Sequence, residues 1–393
     1  MNKLVTIVLL ALVSFQAQAF SNRKVRVDDR LPAGNIVVEK MSGDTVYVQP
    51  DLTGNREEWF YWAMRVRGAQ GKTLVFKYPR LCVGARGAVV SLDKGKTFFF
   101  TGDKAGNSFT YTFGPKDKDV YFYECHPYVP KDWKRFLRTL DKKLYTKGVL
   151  CRSVSGKKVP RASFGRLDGE EKHRVVITAR HHCSETMASY VMEGVIQGFC
   201  ADNETGKWLR DNVELTVAPF ADFDGSASGD QGKYRAPHDH NRDYVEFLYP
   251  ETKAISELYV ERHAEVILDL HCPWIAQGIN EYLYNPLGDP DIIPDIAAEE
   301  RFISLVDRYA EGLPYDSSYN VPFGTLWNTN KNYADGMSCL SWARMNAPGA
   351  HVCLCFEIPF ANDNGTEVNP ESSRVFGRSL AKTIAAYFRD ADR

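Results

Sequence analysis

Two histidines and a glutamate follow an apolar run in the segment ITARHHCSETMASY, residues 177–190. His182 and Glu185 have the spacing H-x-x-E, so one turn of chain can bring both side chains to a single metal ion. His271 ends a second apolar run, AEVILDLH, and a third run, HVCLCFE, ends at Glu357. A catalytic zinc takes three nitrogen or oxygen ligands from the protein, and two histidines with one glutamate are a standard set. The sequence therefore predicts one Zn²⁺ per chain, bound by His182, Glu185 and His271.

The position of these groups matters more than the tetrapeptide itself, because H-x-x-E occurs often by chance. In open α/β sheets, ligands and catalytic groups gather at the carboxyl ends of the strands. His181 has the wrong spacing from Glu185, and we interpret it as a residue that packs beside the site or supports a ligand. Cys183 is not favoured as a nucleophile, because it lies beside a metal ligand and lacks a separate catalytic histidine.

The second half of the chain has the pattern of an α/β domain. Its apolar runs are typical of central strands, namely RVVITA, VELTVAP, AEVILDLH and HVCLCFEIP. Helical patterns lie between or after these runs, at residues 186–199, 254–262, 297–310 and 374–388. Strands that alternate with helices predict a mixed sheet with covered faces, and we assign it to residues 163–393.

The first half of the chain has a different pattern. Short aromatic or β-branched runs such as TVYVQP, KTLVFKYP and VYFYECHPYV are separated by turn residues. Such spacing favours an antiparallel β-sandwich, which we assign to residues 20–140. The basic stretch at residues 141–162 is predicted to be a linker.

Residues 1–19 have the features of a signal peptide: a basic start, an apolar stretch and the small residues Ala17 and Ala19 around Gln18. We therefore expect a secreted or periplasmic protein. No later apolar run approaches the length of a membrane span.

The charge of the chain bears on its partners, and the number of cysteines bears on disulfides. The chain has 49 Lys and Arg against 50 Asp and Glu, with no basic stripe, which argues against a nucleic-acid partner. It has nine cysteines, an odd number, so at least one is free or paired between molecules. Cys82 and Cys125 lie in the same region and are candidates for a disulfide, which spacing alone cannot prove. The sequence gives no signal for an oligomeric state.

Several of these segments, in the same order, resemble zinc metallocarboxypeptidases of the cytosolic-carboxypeptidase-like branch. ARHHCSETMASYVMEG resembles the zinc-binding segment of that branch, LDLH its third-ligand strand and FEIPF its catalytic-glutamate strand. DHNRDY resembles its D-x-N-R signature, and VYFYECHPYVPKDWKRFL is similar to the end of the sandwich that precedes its catalytic domain. PFADFDG lies where the family has P-x-x-N-x-D-G, with Asp222 in place of asparagine. The resemblance covers nearly all of the chain after residue 19.

The resemblance implies roles for residues around the zinc. Glu357 would act as the general base that takes a proton from a zinc-bound water and passes it to the leaving amine. Arg235, in GKYRAP, would polarise the scissile carbonyl and stabilise its oxyanion. The interval from Arg235 to Asn241 is shorter than we expect for the branch.

Three other residues would bind the substrate, and Tyr333 would have a catalytic role. Asn241 and Arg242 would hold its terminal carboxylate, since a guanidinium matches a carboxylate through two parallel hydrogen bonds. In YADGMSCLSW, Tyr333 would donate a hydrogen bond near the scissile amide, and Leu340 would form the floor of the specificity pocket.

The predicted function is therefore that of a zinc-dependent metallocarboxypeptidase, with a peptide or protein C-terminus as its substrate. One alternative is an amidohydrolase of the aspartoacylase or succinylglutamate desuccinylase type, against which the N-terminal sandwich argues. A second is a carboxypeptidase that acts on peptidoglycan stem peptides. A third is an inactive peptide-binding module, against which the complete set of ligands and Glu357 argues.

Overall fold

A computed structural model describes residues 24–57, 59–275 and 278–391. The predicted signal peptide, residues 1–19, lies outside this part of the chain, so export remains a prediction. The chain divides into two compact units, which we call the β unit and the α/β unit. Among the described residues, the β unit consists of residues 24–51 and 60–125, and the α/β unit of residues 52–57, 59, 126–275 and 278–391.

The β unit contains two sheets. One has the strand order β1-β4-β9-β6-β7, and the other β2-β3-β5-β8. The described strands are β1 (Arg26–Asp28), β2 (Val37–Ser42), β3 (Thr45–Gln49), β4 (Ala63–Arg67), β5 (Thr73–Lys77), β6 (Val89–Ser91), β7 (Phe99–Phe100), β8 (Ser108–Thr112) and β9 (Asp119–Tyr123). All the strand pairs are antiparallel except β3 with β5, which run parallel.

Aromatic side chains fill the space between these two sheets. Phe109 of β8 stacks on Phe76 of β5 and on Trp62, with ring centroids 4.9 and 5.5 Å apart. Phe122 of β9, in the other sheet, lies 5.4 Å from Phe109. The only polar group of the Trp62 side chain, its indole N–H, donates a hydrogen bond to the carbonyl of Cys82 at 2.6 Å. The aromatic runs of the sequence thus form the core of the predicted sandwich.

The α/β unit is built on a six-stranded mixed sheet with the order β10-β11-β13-β12-β14-β15. Its strands are β10 (Tyr145–Arg152), β11 (Lys158–Gly165), β12 (His173–Ala179), β13 (Val213–Ala218), β14 (Val266–His271) and β15 (Val352–Glu357). The last four are parallel to one another, so their carboxyl ends lie at one edge. Residues 362–363 and 366–367 form a small hairpin, β16 (Asn362–Asp363) and β17 (Thr366–Glu367).

Helices cover both faces of the sheet. Those described are α1 (Pro130–Leu137), α2 (Met187–Cys200), α3 (Glu204–Asn212), α4 (Phe223–Ser228), α5 (Pro250–Glu261), α6 (Ile296–Tyr309), α7 (Cys339–Asn346) and α8 (Pro370–Ala391). Ile255 of α5 and Ala343 of α7 belong to a buried cluster with Val176, Ile267 and Cys353 of the central strands. Each of the four predicted helices overlaps an observed one.

Helices α2 and α8 pack against each other at very short range. A Cβ atom at Gly194 would lie 2.2 Å from the carbonyl oxygen of Arg374, and one at Gly377 would lie 2.1 Å from that of Val191. Only glycine fits at either position without moving the backbone, so this pair of glycines permits the close helix crossing.

Local hydrogen bonds at the helix ends explain where several helices begin. The side chains of Asn203, Asp295 and Ser338 accept hydrogen bonds from the backbone N–H groups of Gly206, Ala298 and Ser341. Such caps satisfy N–H groups that have no partner within the helix. Pro250 at the start of α5 needs no such partner.

The structure differs from the predicted domain organisation in one stretch. Residues 141–162, predicted as a linker, contain β10 and most of β11, which pair as an antiparallel hairpin at one edge of the α/β sheet. Along β10 most side chains are exposed or half-buried, so the stretch lacks the apolar pattern of a central strand.

Two further features bear on the predictions. All nine cysteines lie in the described part of the chain, and the structure has no disulfide between the two candidates, Cys82 and Cys125. Among the described helices, none is long and apolar enough to cross a membrane. The fold class is confirmed: a β-sheet unit is followed by a mixed-sheet α/β unit.

Candidate active site

The loop that follows β12 carries His182 and Glu185. It begins at Arg180, a buried residue with φ of 67°, which is the left-handed region that a non-glycine residue seldom occupies. The Arg180 guanidinium donates from Nε to the carbonyl of Cys183 at 2.8 Å and from Nη1 to the carbonyl of Tyr128 at 3.0 Å. This arginine therefore fixes the loop from inside, and its role was not predicted from the sequence.

The donor atoms of His182, Glu185 and His271 lie within 4.8 Å of one another. His182 Nδ1 is 2.7 Å from Glu185 Oε1, and His271 Nδ1 is 2.7 Å from Glu185 Oε2. The two Nδ1 atoms thus face the same carboxylate from two strand ends. The structure brings together the three residues that the sequence predicts as zinc ligands.

The other ring nitrogen of each histidine also faces a carboxylate. His182 Nε2 lies 3.2 Å from Asp239 Oδ1, and His271 Nε2 lies 2.7 Å from Asp269 Oδ2. Metal-binding histidines usually donate their second N–H to a carboxylate or carbonyl, which sets the tautomer and the ring orientation. The residue types and this outer pair of carboxylates fit a zinc ion bound through the two Nδ1 atoms and Glu185.

Burial and charge act in opposite directions on these groups. Burial alone would raise the pKa of Glu185, but the charges of His182 and His271 outweigh it and lower the pKa to about 2. Burial would lower the pKa of His271, but Asp269 and Glu185 hold it well above its usual range. A metal ion bound here would compete with protons for the imidazole nitrogens.

A second group of potential ligands consists of His181, Asp269 and His271. Both ring nitrogens of His181 are already engaged, with Asp269 Oδ1 at 2.9 Å and the hydroxyl of Tyr244 at 2.6 Å. Asp269 in turn contacts His271. A hydrogen-bond network from Tyr244 through His181 to Asp269 therefore holds the predicted ligand His271 in place. This arrangement agrees with the interpretation of His181 as a supporting residue.

Glu357 lies at the end of β15, directly opposite His271 in the register of the sheet. Its backbone N–H donates to the carbonyl of Tyr284 at 2.9 Å, which fixes the strand end. In the described part of the chain its buried Oε2 has no hydrogen-bond partner. Burial raises the pKa of Glu357 to about 7. The charge of Glu185 adds to this rise, and the charge of His271 opposes it. A carboxyl with such a pKa suits general acid–base catalysis near neutral pH.

A cavity of about 710 Å³ opens onto these groups. The predicted site residues among its lining residues are His182, Glu185, Asn241, Arg242, His271, Tyr333, Leu340 and Glu357. A volume of this size accommodates the end of a peptide.

Three of the lining residues, Asn241, Arg242 and Leu340, carry the predicted substrate-binding roles, and Tyr333 carries a predicted catalytic role. Arg242 donates from Nε to the carbonyl of Asn332 at 3.0 Å, and its guanidinium lies 4.8 Å from the ring of Tyr333. Asn241 accepts a hydrogen bond from the backbone N–H of Cys339 at 3.0 Å. The Tyr333 hydroxyl donates to Asn328 at 2.9 Å. The geometry places these side chains and Leu340 at the cavity, and their roles stay predictions.

The prediction for Arg235 needs correction. Its guanidinium makes ion pairs with Asp222, at 3.1 Å from Nε, and with Asp230. Among the described residues that line the cavity, Arg235 does not appear, whereas Lys233 does. Asp222 is the residue that stands where the family has asparagine, so one of the two ion pairs of Arg235 depends on a carboxylate that replaces an amide.

Sequence reasoning missed the two carboxylates that orient the histidines. Asp239 is the first residue of the D-x-N-R signature, and Asp269 lies two positions before His271 in LDLH. An aspartate inside an apolar strand was the available signal, because burying a carboxylate is costly unless it has partners.

The sequence is similar to those of known carboxypeptidases. Residues 131–239 match a family model described as zinc carboxypeptidase, a segment that includes His182, Glu185 and Asp239. Cytosolic carboxypeptidase 2 of Xenopus tropicalis is 29% identical over 205 residues, which cover 47% of this chain and 21% of that protein. Cytosolic carboxypeptidase 6 of Mus musculus is 21% identical over 306 residues, covering 72% of this chain and 54% of that protein. The chain therefore spans less than two thirds of either relative.

Solved structures share the fold over almost the whole chain. A metallo-carboxypeptidase from Burkholderia cenocepacia has a TM-score of 0.77 at 20% identity and covers 94% of this chain and 100% of its own. A metallo-carboxypeptidase from Pseudomonas aeruginosa has a TM-score of 0.74 at 18% identity and covers 93% of this chain and 99% of its own. The resemblance inferred from the sequence is confirmed to this extent: residues 131–239 match the zinc carboxypeptidase model, the chain has cytosolic carboxypeptidase homologues, and it shares its fold with bacterial metallo-carboxypeptidases.

Proposed function

We propose that this protein is a zinc-dependent metallocarboxypeptidase that hydrolyses the C-terminal peptide bond of peptides or proteins. One observation carries the proposal. Donor atoms of His182, Glu185 and His271 lie within 4.8 Å of one another beside a cavity that Glu357 also lines. The family match and the shared fold support the same class of reaction.

One zinc ion per chain fits the site formed by His182, Glu185 and His271. Zinc, when bound, supplies a Lewis acid that polarises the scissile carbonyl and lowers the pKa of a water molecule to about 7. Both histidines turn Nδ1 toward Glu185. Asp239 contacts Nε2 of His182 and Asp269 contacts Nε2 of His271, which orients the two rings. This support keeps the ligands in position before substrate arrives.

Glu357 moves the proton in this proposal. Its carboxylate accepts a proton from the attacking water as the new C–O bond forms at the scissile carbonyl carbon. The same carboxyl then gives that proton to the amine nitrogen as the C–N bond breaks. The buried Oε2 atom without a partner among the described residues is the atom we assign to this transfer.

Arg242 and Asn241 would select substrates with a free terminal carboxylate. The described contacts of the Arg242 guanidinium use Nε and Nη1. Its Nη2, without a hydrogen bond to the described part of the chain, remains for a ligand. Arg242 is buried at the cavity, and charge-assisted hydrogen bonds are stronger there than in water. Leu340 would contact the terminal side chain, with Tyr333 close to the scissile amide.

Mass spectrometry of a peptide library tests the proposal. The purified protein is incubated with peptides that end in a free carboxylate and with the same peptides amidated at the C-terminus. We expect single residues to be removed from the free C-termini, the reaction to stop with a chelator and to resume with zinc. Cleavage at internal bonds, or equal cleavage of the amidated peptides, would contradict the carboxypeptidase assignment.

A further inference from the structure

The cavity contains three cationic side chains among its described lining residues, Lys233, Arg242 and Arg344. Arg344 lies 3.3 Å from Glu299 and also donates to the carbonyl of Cys353, so its charge is neutralised within the fold. Arg242 contacts backbone carbonyls and is assigned above to the terminal carboxylate. Lys233 is the remaining cation, and it has no role in the proposed function.

Lys233 lies close to the predicted metal ligands. Its Nζ is 3.6 Å from Asp239 Oδ2, while Oδ1 of the same carboxylate is 3.2 Å from His182 Nε2. A single carboxylate thus connects the ammonium group to a histidine that faces Glu185. The 3.6 Å separation is an ion pair rather than a hydrogen bond, so the ammonium keeps N–H groups for a ligand.

Backbone contacts hold the segment that carries Lys233. The side-chain amide of Asn55 donates to the carbonyl of Lys233 at 2.5 Å, and the backbone N–H of Arg56 donates to Tyr234 at 2.8 Å. Gly232 has φ of 88°, and a Cβ atom there would lie 2.5 Å from the backbone nitrogen of Cys183. The segment therefore passes directly against the loop that carries His182, a path that requires glycine.

Arg235 is not available for the role that the resemblance gives it. Asp222 and Asp230 both pair with its guanidinium, and its side chain is only 12% exposed. Moving it to the cavity would leave two buried carboxylates without their cation, which is costly. The residue two positions earlier in the chain projects into the cavity instead.

We propose that Lys233 is the catalytic cation that stabilises the oxyanion formed on the scissile carbonyl oxygen. This inference rests on the proposed carboxypeptidase function and assigns one of its catalytic groups. As water adds to the carbonyl carbon and Glu357 takes its proton, the carbonyl oxygen gains negative charge. Lys233 donates an N–H hydrogen bond to that oxygen and transfers no proton. Because an ammonium group is a compact charge with three donors, it can serve this oxygen while it remains near Asp239.

Substitution of Lys233 in the zinc-loaded enzyme tests this assignment. Lys233→Met should lower kcat about 10²–10³-fold with a small change in KM, because the contact forms mainly in the transition state. Zinc content should stay close to wild type, because Asp239 keeps its contacts with His182 and with the backbone N–H of Asn241. Lys233→Arg, which keeps a cation, should recover at least part of the lost turnover. Arg235→Lys is the matched control and should keep turnover within about threefold, since it preserves the charge between Asp222 and Asp230.

Binding gives a second readout that does not depend on turnover. A phosphinic peptide carries an anionic tetrahedral centre, so Lys233→Met should weaken its binding by a factor similar to the loss in kcat/KM. Binding of the product peptide should change less than about threefold. If Lys233→Met does not fold, Lys233→Gln and Lys233→Arg replace it in both measurements.

The possible outcomes separate this inference from the proposed function. Wild-type-like turnover and inhibitor affinity in Lys233→Met, or a large loss of turnover in Arg235→Lys, would overturn the role of Lys233 alone. An effect confined to KM would also overturn it, because it would assign Lys233 to ground-state binding. A wild-type enzyme that cleaves no peptide would overturn the proposed function and this inference together.

Discussion

Buried space is filled in different ways in the β unit and at the strand ends of the α/β unit. In the β unit, Trp62, Phe76, Phe109 and Phe122 pack ring against ring. At the strand ends, the buried side chains include His182, Glu185, Asp239, Asp269, His271 and Glu357. The first arrangement removes apolar surface from water, whereas the second removes charges from water.

Burying charges costs free energy that burying aromatic rings does not. Five of these six charged side chains are each paired with another member of the set, whereas Glu357 keeps a carboxylate oxygen without a hydrogen-bond partner in the described chain. Such an arrangement is typical of a site that is built to bind a cation and to move a proton. The comparison therefore predicts that substitutions at the strand ends change chemistry, while those in the aromatic core change stability.

The largest effect is expected at the metal ligands. His182→Ala or His271→Ala removes one of three donors, so zinc content should fall from about one ion per chain to near zero and turnover to background. His351 is exposed, and His351→Ala serves as the matched control that keeps both. Full zinc occupancy in both ligand variants would refute the assigned donor set.

Glu357→Gln sharpens the distinction between binding and chemistry. Glutamine keeps the size and hydrogen bonding of the side chain but removes its basicity, so kcat should fall about 10²–10⁴-fold. Zinc content should remain at the wild-type level, because Glu357 is not among the three donors. Near-wild-type turnover in the zinc-loaded variant would show that Glu357 only completes a strand end.

Phe109→Ala tests the aromatic core of the β unit. The ring is buried between two sheets, and its removal should lower the free energy of unfolding by about 3–5 kcal/mol. The zinc content of the folded variant should not change. Urea unfolding measures the first quantity and metal analysis the second; an unchanged unfolding free energy would argue against the packed core.

Arg242→Ala should have a smaller and substrate-dependent effect. Loss of a charge-assisted contact costs about 2–3 kcal/mol, which corresponds to roughly 30–150-fold in kcat/KM for peptides with a free carboxylate. C-terminally amidated peptides lack that charge and should lose much less. Equal losses on the two substrates would remove Arg242 from carboxylate recognition.

The smallest effect concerns pH and the zinc-free protein. Burial raises the pKa of Glu357 from 4.5 to about 7, so the folded state binds a proton more tightly than the unfolded state. Stability should therefore fall as pH rises between about 4.5 and 7. Glu357→Gln removes this loss and should be more stable than wild type by about 1–3 kcal/mol at pH 8, but not at pH 4.5. Urea unfolding at the two pH values measures the unfolding free energies of the variant and the wild type. The same difference between the two proteins at both pH values would contradict the raised pKa of Glu357.

The site was more predictable from the sequence than the residues that support it. His271 and Glu357 each end an apolar run and His182 closely follows one, so the topology of a parallel sheet brings them to one edge. Asp269 lies two positions before His271 in the same strand, and an aspartate within that apolar run was the available signal for its role. The ion pairs of Arg235 with Asp222 and Asp230 depend on how the intervening loop folds, which the sequence does not show. The sequence signals were the shortened interval to Asn241 and Asp222 in place of the family's asparagine.

The fold was predictable where burial produces a pattern. The central strands and the four predicted helices have strong apolar periodicity, and the structure contains an element at each. The hairpin of β10 and β11 lies at a sheet edge with exposed side chains, so its alternation is weak and residues 141–162 looked like a linker. Residues 52–59 belong to the α/β unit through contacts with Lys233 and Tyr234, far along the chain.

Anomalous diffraction at the zinc absorption edge, from crystals of the zinc-loaded protein, tests the central claim most directly. The account predicts one strong peak, at about 2.0–2.2 Å from His182 Nδ1, His271 Nδ1 and a carboxylate oxygen of Glu185. A peak at His181 and Asp269 instead, or no peak near these three residues, would contradict it.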